Sequence, residues 1–295
     1  MDNNLLKYQA FITTVDYGSF TKAAYILGYA QSSVSKMIAD LEKEWNIVLL
    51  ERSRAGVQPT SEGLAMLPYA RNLLDSYQKI QEQAASLSGI TTGMIRIGTF
   101  SSVATHWLPA IIQRFQKDYP GIRYEFLLGD YDEIEQWIFE GRVDCGFLRL
   151  PTRSEYETIS LEKDEYVAVL PTGHPLTEKN ILTPSDLEGH PFMLLEHGGK
   201  TEVTGFLELH KVKPDIRFTT WDDYAILSMV ESGLGIGILP RLILRRIPYH
   251  VEVRSFSDPL IREIGLAMRR GNTASAAVRK FVEYLKYRDQ GKRIN

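Results

Sequence analysis

The amino-acid sequence predicts an α+β N-terminal domain with a winged helix-turn-helix, then a long linker helix, then an α/β domain. Three observations carry this prediction: two short helices meet at Gly28, an apolar repeat of 3.5 residues follows Ser61, and strands alternate with helices beyond Gly93. The chain has 295 residues, with 44% hydrophobic and 24% charged residues, which is ordinary for a globular protein. That length corresponds to roughly two or three domains.

Residues 1–60 are predicted to form three helices and a hairpin. Apolar residues from Leu5 to Val15 recur at helical spacing, and Gly18 ends this first helix. Ser19 is a good N-cap for the second helix, and Gly28 stands where that helix must stop and turn. The third helix has an apolar face at spacings of three and four, formed by Val34, Met37, Ile38, Leu41 and Trp45.

The N-terminal turns of the third helix are polar on the side away from that apolar face. A helix N-terminus favours phosphate, and short hydroxyl and amide side chains can reach base edges in a major groove. We therefore predict DNA contacts, including an adenine contact from Gln31, by Gln31, Ser32, Ser33, Ser35 and Lys36. The alternative is that the first three of these residues only cap a helix in a packing domain.

The segment IVLLERSRAGVQPT, residues 47–60, predicts two short strands around a basic turn, which is the geometry of a wing. Arg52 and Arg54 lie at this turn, where a duplex backbone would pass, so we assign them to phosphate or minor-groove contact. The alternative is that they are solvated turn charges. Pro59 has no N–H for a strand ladder, so the second strand is expected to be short or at an edge.

Charge and cysteine usage limit the function classes. The net charge is −3, and residues 1–63 contain six Lys and Arg against seven Asp and Glu, a balance of −1. DNA binding must therefore depend on a few well-placed cations and on low salt. No apolar run approaches the roughly 18 residues of a membrane helix, and no secretory signal is present, so we expect a cytoplasmic protein. The single cysteine, Cys145, excludes an internal disulfide.

Residues 61–88 predict one long helix with a single apolar stripe. The stripe recurs at alternating steps of four and three, as in a coiled coil, and consists of Met66, Ala70, Leu73, Tyr77, Ile80, Ala84 and Leu87. Pro68 is expected to kink this helix or to displace its start. An exposed stripe of this kind needs a partner helix, so we predict a homodimer whose two reading helices meet paired half-sites of double-stranded DNA.

The polar linker from Ser88 to Gly93 precedes the predicted α/β domain. The strand MIRIGTF is followed by one predicted helix that Pro120 ends, and later strands and helices alternate to the C-terminal helix over residues 275–288. Cys145 lies in an apolar strand and is expected to be an inert core thiol. The segment Gly233–Gly237 follows a helix and enters a strand, so we interpret it as a helix C-cap and not as a phosphate loop.

The segments GSFTKAAYILGYAQSSVSKMIADLE and LLERSRAGVQPTSEG resemble the LysR-type transcriptional regulators, and the resemblance extends over essentially the whole chain. It implies a two-lobed, periplasmic-binding-protein-like (type 2) effector-binding domain over residues 89–295. Lobe I would comprise about residues 91–161 and 262–295, and lobe II about 162–261, with crossings near Leu161 and Leu260. It also implies a dimer of dimers, with RNA polymerase as a further candidate partner. Three residues depart from the usual family pattern: Asn46, Leu50 and Pro59.

The effector is expected in the cleft at the strand C-termini, where helix N-termini converge. The first strand leads into Thr99, Phe100, Ser101 and Ser102, which are predicted to hold an anion, with a carboxylate as the expected group. The alternative is that the two serines are an N-cap pair. The family resemblance adds residues from other loops to this site: Gly129, Arg149, Thr201, Thr220 and Trp221.

Two other function classes compete with a regulator. A solute-binding protein would share the two-lobed domain but would need export. An enzyme would need catalytic residues, and the sequence shows no Ser/His/Asp order, no phosphate loop and no metal-ligand spacing among its six histidines. We therefore expect neither catalysis, nor a metal, nor a cofactor. A small molecule in the cleft is instead expected to change the angle between lobes and subunits, and through it the DNA bend.

Overall fold

A computed structural model describes residues 3–53, 56–87, 93–196, 201–270 and 274–289. Within these ranges, no helix combines the length and the hydropathy that a membrane crossing requires. The N-terminal region contains three helices and a two-stranded hairpin: α1 (Asn3–Tyr17), α2 (Phe20–Leu27), α3 (Gln31–Trp45), β1 (Leu50–Ser53) and β2 (Gly56–Pro59). The predicted winged helix-turn-helix is therefore present.

The boundaries of these helices follow the predicted capping chemistry. The Ser19 side chain accepts a hydrogen bond from the Lys22 N–H at the start of α2. Gly28 ends α2 in the left-handed conformation, with φ of 72°. Asn46 ends α3 in the same conformation, with φ of 56°, and asparagine is one of the few non-glycine residues that adopt it readily.

The wing is fixed against the helices by backbone contacts. The Val57 N–H donates to the Gly18 carbonyl at 2.9 Å. A Cβ on Gly56 would lie 2.8 Å from the same oxygen, so this position must remain glycine for the hairpin to approach α1 so closely. Pro59 pairs with Leu50 at the open end of β2, where no further ladder bond is needed. The position of the wing relative to α3 is therefore set by the fold.

The linker helix α4 extends without a break from Ser61 to Leu87. Its start agrees with the prediction, so Pro68 does not displace it, and the helix continues through that proline. Leu67 and Ala70 are buried in the helix-turn-helix core, and Met66 packs against the same core. The N-terminal half of the predicted stripe is thus used within the chain, which the sequence repeat did not indicate.

The rest of the chain forms an α/β region around one ten-stranded mixed sheet. Its strands are β3 (Gly93–Thr99), β4 (Ile122–Leu128), β5 (Cys145–Leu150), β6 (Tyr156–Pro171), β7 (Ile181–Leu182), β8 (Pro191–Leu195), β9 (Asp215–Thr220), β10 (Ile236–Pro240), β11 (Val251–Phe256) and β12 (Leu260–Arg269). Its helices are α5 (Ser101–His106), α6 (Leu108–Asp118), α7 (Tyr131–Glu140), α8 (Glu202–Leu209), α9 (Asp223–Glu231) and α10 (Ala276–Glu283).

The main strand order is β4-β3-β5-β12-β6-β10-β8-β9, which joins two lobes through β12 and β6. These two strands pair antiparallel from Tyr156 opposite Arg269 to Tyr166 opposite Leu260. The second half of β6 then pairs with β10 and β11. Leu161 therefore lies inside a continuous strand and Leu260 begins one, so both predicted crossings fall on this shared ladder.

Three local predictions differ from the structure. The single helix predicted after β3 is two helices separated at Trp107, because Pro109 supplies no N–H and begins a new helix. Strand β6 begins at Tyr156, whereas the apolar residues after Glu165 predicted a strand that begins only there. Strands β7 and β11 were not predicted, because the short β7 and the polar β11 lack an apolar run.

Each lobe has its own apolar core. Lobe I is packed around Trp107, Phe115, Phe147 and Phe281, and lobe II around Phe192 and its neighbours. Cys145 is fully buried in lobe I, and burial raises the pKa of its thiol, as expected for an inert core cysteine. The C-cap interpretation of Gly233 is also confirmed, because this residue follows α9 with φ of 74°.

Candidate functional site

The N-terminal turn of α3 presents polar side chains to solvent. Gln31, Ser32 and Lys36 are exposed, whereas Ser33 and Ser35 are half-buried. The N-cap residue is Ala30, and no side chain caps this helix. The alternative that Gln31, Ser32 and Ser33 only serve as caps therefore has no hydrogen bond to support it, and the exposed polar groups remain available for a partner.

The two predicted arginines of the wing are not described by the structure at the level of their side chains. Arg54 lies outside the described residues. Arg52 belongs to β1, but its side chain is likewise outside the described part of the structure. Their role in DNA contact stays a prediction that rests on the position of the hairpin beside α3.

The C-terminal half of α4 retains an exposed apolar face. Leu73 is 43% exposed and Ile80 is 65% exposed, and Ala84 is exposed as well. Tyr77 and Met66 are half-buried, and the Leu87 side chain lies outside the described residues. Leu73 and Ile80 are therefore accessible to a partner helix at the predicted spacing, and their use in a dimer stays a prediction.

A cleft of about 470 Å³ opens between the lobes at the ends of the sheet strands. Its volume is in the range of small-molecule sites. Seven of the nine predicted effector residues line it: Phe100, Ser101, Ser102, Gly129, Arg149, Thr201 and Trp221. Thr99 is fully buried behind it, and the Thr220 hydroxyl is not in the lining but accepts a hydrogen bond from the Asp222 N–H. Thr99 and Thr220 therefore support the wall of the cleft but do not form its surface.

Arg262 forms a buried polar network at the base of this cleft. Its guanidinium donates two hydrogen bonds to Asp164 Oδ2, at 2.7 and 3.0 Å, and both side chains are at most 5% exposed. It also donates to the Ser102 and Tyr131 hydroxyl oxygens, each at 2.9 Å. Asp164 Oδ1 accepts from the Leu242 N–H at 2.9 Å. The network thus joins α5, α7 and the two crossing strands.

Aromatic rings enclose the same guanidinium. It lies 5.0 Å from the Phe100 ring centroid and 5.5 Å from that of Tyr166. Phe100 and Tyr131 meet edge to face at 5.2 Å. Burial raises the pKa of both Tyr131 and Tyr166, so the two phenols are neutral at physiological pH. These hydrogen bonds and ring contacts hold the Arg262 guanidinium in place as part of the fold.

An ion pair crosses the cleft between the lobes. Arg149 at the end of β5 approaches Glu202 at the start of α8, with Nη1 3.3 Å from Oε1. That oxygen is buried but has no hydrogen bond of acceptable geometry to the described residues. The pair is thus close in distance and poorly aligned, and Arg149 also lies 5.9 Å from the Tyr131 ring centroid. A ligand with better geometry can displace such a pair.

Asp223, the first residue of α9, is the second buried charge of the described cleft lining, after Arg262. It is 8% exposed and belongs to the cleft lining. Burial raises its pKa from 3.8 to about 6, Arg262 opposes this rise, and Asp222 and Asp164 add to it. The carboxyl group accepts a hydrogen bond from its own backbone N–H, which also opposes the rise in pKa, and no described side chain pairs with it.

The sequence did not indicate the buried part of this site. Arg262, Asp164, Tyr131 and Asp223 were not predicted, because each lies within or beside a segment that looked like ordinary surface strand or helix. One signal was present: Arg262 lies in the predicted strand IREIGLAMRR, where a charge in a buried sheet requires a partner. Asp164 precedes the strand that was predicted from Glu165 and gave no such signal. The register pairs Arg262 with Asp164 directly across the ladder.

Comparisons with known proteins place the whole chain. The family model "LysR substrate binding domain" matches residues 88–290, and "Bacterial regulatory helix-turn-helix protein, lysR family" matches residues 5–64. The probable HTH-type transcriptional regulator LrrA of Synechococcus elongatus is 35% identical over 288 residues, covering 96% of each chain. The transcriptional activator protein LysR of Escherichia coli is 29% identical, covering 96% of this chain and 92% of the other.

Solved structures show the same architecture. Full-length CbnR bound to its target DNA has a TM-score of 0.66 at 21% identity, covering 98% of this chain and all of the other. Full-length OxyR of Pseudomonas aeruginosa has a TM-score of 0.70 at 21% identity, covering 96% and 97%. At this identity the likeness shows the fold alone. Together with the two family matches, these observations show that the chain belongs to the LysR family of transcriptional regulators, which bind DNA and carry an effector-binding domain.

Proposed function

We propose that the chain binds a paired operator as a homodimer, with α3 in successive major grooves, and that a small molecule in the cleft controls this binding. The observation that carries the proposal is the uncapped, exposed polar end of α3 beside a fixed wing. The reading contacts are assigned to Gln31, Ser32, Ser33, Ser35 and Lys36, and the backbone contacts to Arg52 and Arg54. Full-length CbnR, which has the same fold, has been solved in complex with its target DNA, and this supports DNA binding by the chain.

Dimerisation is assigned to the exposed half of α4. Leu73, Ile80 and Ala84 form its solvent-facing apolar stripe, and Tyr77 and Leu87 extend the same spacing. Met66 belongs to the intrachain core and contributes to the dimer only by positioning the helix. The family resemblance extends the dimer to a tetramer and makes RNA polymerase a candidate partner at the promoter. A protein with this activity works where the chromosome is, so we assign it to the cytoplasm.

The effector is assigned to the cleft, with a carboxylate group held beside Arg149, Ser101 and Thr201. Arg149 is the guanidinium that a ligand can recruit, because Arg262 is already bound to Asp164. Trp221 lies at the mouth, 64% exposed, and offers an aromatic surface. The start of α8 at Thr201 supplies the lobe II side, where the threonine side chain already caps the helix.

A contact path leads from the cleft domain to the DNA-binding half. Arg269 at the end of β12 lies 3.5 Å from Asp75 of α4 and also donates to Asn72. Arg96 of β3 donates to Gln78 of the same helix at 3.3 Å. Closure of the cleft around an effector would therefore change the orientation of α4. In the dimer, this would change the spacing of the two α3 helices and the bend of the DNA.

Footprinting on the chain's operator, with and without effector, tests the proposal. We expect effector to change the protected length or the bend angle, and identical footprints in both states would contradict it. Deletion of residues 1–88 is the companion experiment. The remaining domain should lose operator binding and keep effector binding.

Single substitutions separate base reading from backbone contact. Gln31→Ala should weaken operator binding more than random-DNA binding, because it removes a base contact. Arg52→Ala should weaken both alike and lower the slope of log affinity against log salt by about one unit. Fluorescence anisotropy on operator and scrambled duplexes measures both effects. Equal losses on the two duplexes for Gln31→Ala would remove it from the reading set.

A further inference from the structure

The charge of the cleft is predominantly negative. Its described lining contains two guanidinium groups, Arg149 and Arg262, against six carboxyl groups: Asp130, Asp132, Glu133, Glu196, Glu202 and Asp223. Arg262 is neutralised by Asp164, which approaches it from outside the lining. Among the described lining residues, a simple dicarboxylate or an aromatic acid would therefore meet one available cation and an excess of like charge.

Two of these carboxyl groups are buried and have no cationic partner of good geometry among the described residues, although the Asp223 carboxyl group accepts a hydrogen bond from its own backbone N–H. Asp223 is 8% exposed, and no described side chain pairs with it. Glu202 Oε1 is buried and has no hydrogen bond in the described structure, although Arg149 lies 3.3 Å away. A buried carboxylate without a donor costs free energy, and a bound cationic donor removes that cost. Asp223 and Glu202 both belong to lobe II, and they line the same cavity as Arg149 of lobe I.

We propose that the effector is an amino acid or a close derivative, whose ammonium group binds Asp223 and Glu202 and whose carboxylate binds Arg149. The ligand would replace the poorly aligned Arg149–Glu202 pair by two better-directed charge-assisted contacts. Because one end of the ligand contacts lobe I and the other contacts lobe II, binding favours the closed cleft. This proposal rests on the proposed effector control and narrows its chemistry.

A matched ligand series tests the ammonium group. The full-length chain is screened by thermal shift and calorimetry with the common L-amino acids. For each amino acid that binds, the corresponding deaminated acid, N-acetyl amino acid and decarboxylated amine are measured. We expect the amino acid to bind tightest, and the N-acetyl and deaminated compounds to bind at least about tenfold more weakly.

Two substitutions separate the two ends of the ligand. Asp223→Asn should weaken the amino acid and the amine at least about tenfold and leave the deaminated acid unchanged. Arg149→Gln should weaken the amino acid and the deaminated acid and leave the amine unchanged. Asp258→Asn, which removes an equal charge at a surface site that is 60% exposed, is the control and should change none of them.

Different failures point to different conclusions. Tight binding of a deaminated acid that Asp223→Asn does not affect, together with a footprint that changes on its addition, would overturn the ammonium assignment and leave effector control intact. Binding of an amino acid that neither Asp223→Asn nor Glu202→Gln weakens would overturn the assigned site. Absence of any shift with every ammonium compound at millimolar concentration would overturn the proposal.

Discussion

The carboxyl group of Asp223 is ionisable, nearly buried and without a side-chain partner among the described residues. Its folded-state pKa of about 6 exceeds its usual value of 3.8, so the folded protein holds this proton more tightly than the unfolded chain does. The free-energy cost of ionising Asp223 in the folded protein is absent at pH values below the pKa of the unfolded state. It is fully present at pH values above the pKa of the folded state. A difference of about two pKa units corresponds to about 3 kcal/mol of lost stability at neutral pH.

Asp223→Asn should therefore stabilise the free protein. We expect its free energy of unfolding to exceed that of the parent by up to about 3 kcal/mol above pH 7, and the difference to vanish towards pH 4. Urea unfolding at the two pH values measures it. Glu157→Gln, which removes a charge at an exposed site, is the control. A variant that is less stable than the parent at neutral pH would show that Asp223 has a stabilising partner.

The Arg262–Asp164 pair is the opposite case, a buried charge with partners on every side. Arg262→Met should destabilise the effector domain by about 3–5 kcal/mol, because it leaves the Asp164 carboxylate buried without its cation. The double variant with Asp164→Asn should recover part of that loss. Chemical unfolding of the four proteins of this cycle gives the coupling. Additive losses would mean that the two residues act independently.

At the scale of elements, the sequence predicted most helices and strands because their signals are local. Ser19, Gly28 and Asn46 mark helix ends through capping chemistry that needs no distant partner. The missed strand β11 and the early start of β6 depend on pairing across the sheet, which a charged segment does not reveal. The effector cleft was predicted from its loops, but its buried base was not, because Arg262 and Asp164 meet only after the ladder forms.

The linker helix shows the same limit. Its repeat of four and three predicted one continuous seam, yet Ala70 and Met66 are used in the helix-turn-helix core. The N-terminal half of this sequence pattern packs against the chain's own N-terminal domain. The C-terminal half is the part that we propose to pack against a second copy. Only burial distinguishes the two halves.

The exposed half of α4 gives a direct prediction for assembly. Leu73→Lys combined with Ile80→Lys should dissociate the dimer, because two lysines per helix would be buried against each other in the seam. Ser76→Ala with Gln81→Ala changes two exposed residues beside the stripe without adding charge and should leave the dimer intact. Sedimentation equilibrium compares the two variants. An unchanged mass for the Leu73 and Ile80 variant would remove the seam assignment.

At the scale of the whole molecule, Arg269 links the effector domain to the linker helix. Arg269→Ala removes its contacts with Asp75 and Asn72 and opens the space beside Gly141, where the guanidinium also packs. We expect effector affinity to stay within about twofold, because the residue is not part of the cleft. The effector-induced change in DNA bending should shrink. Circular-permutation bending assays measure it, and an undiminished change would exclude this contact from the signal.

The shared ladder of β6 and β12 restricts how the lobes can move. The two strands that cross between the lobes are hydrogen-bonded to each other along their length, with one irregularity at Ile264 and Gly265. A Cβ at Gly265 would lie 2.6 Å from the Leu150 side chain and 2.8 Å from the Ile159 carbonyl, so this point is tightly packed. The two lobes are therefore joined by a hydrogen-bonded pair of strands and not by flexible linkers. We therefore expect their relative motion to be a torsion about the sheet, in which a small change in strand twist at the ladder becomes a larger sideways displacement at the mouth of the cleft.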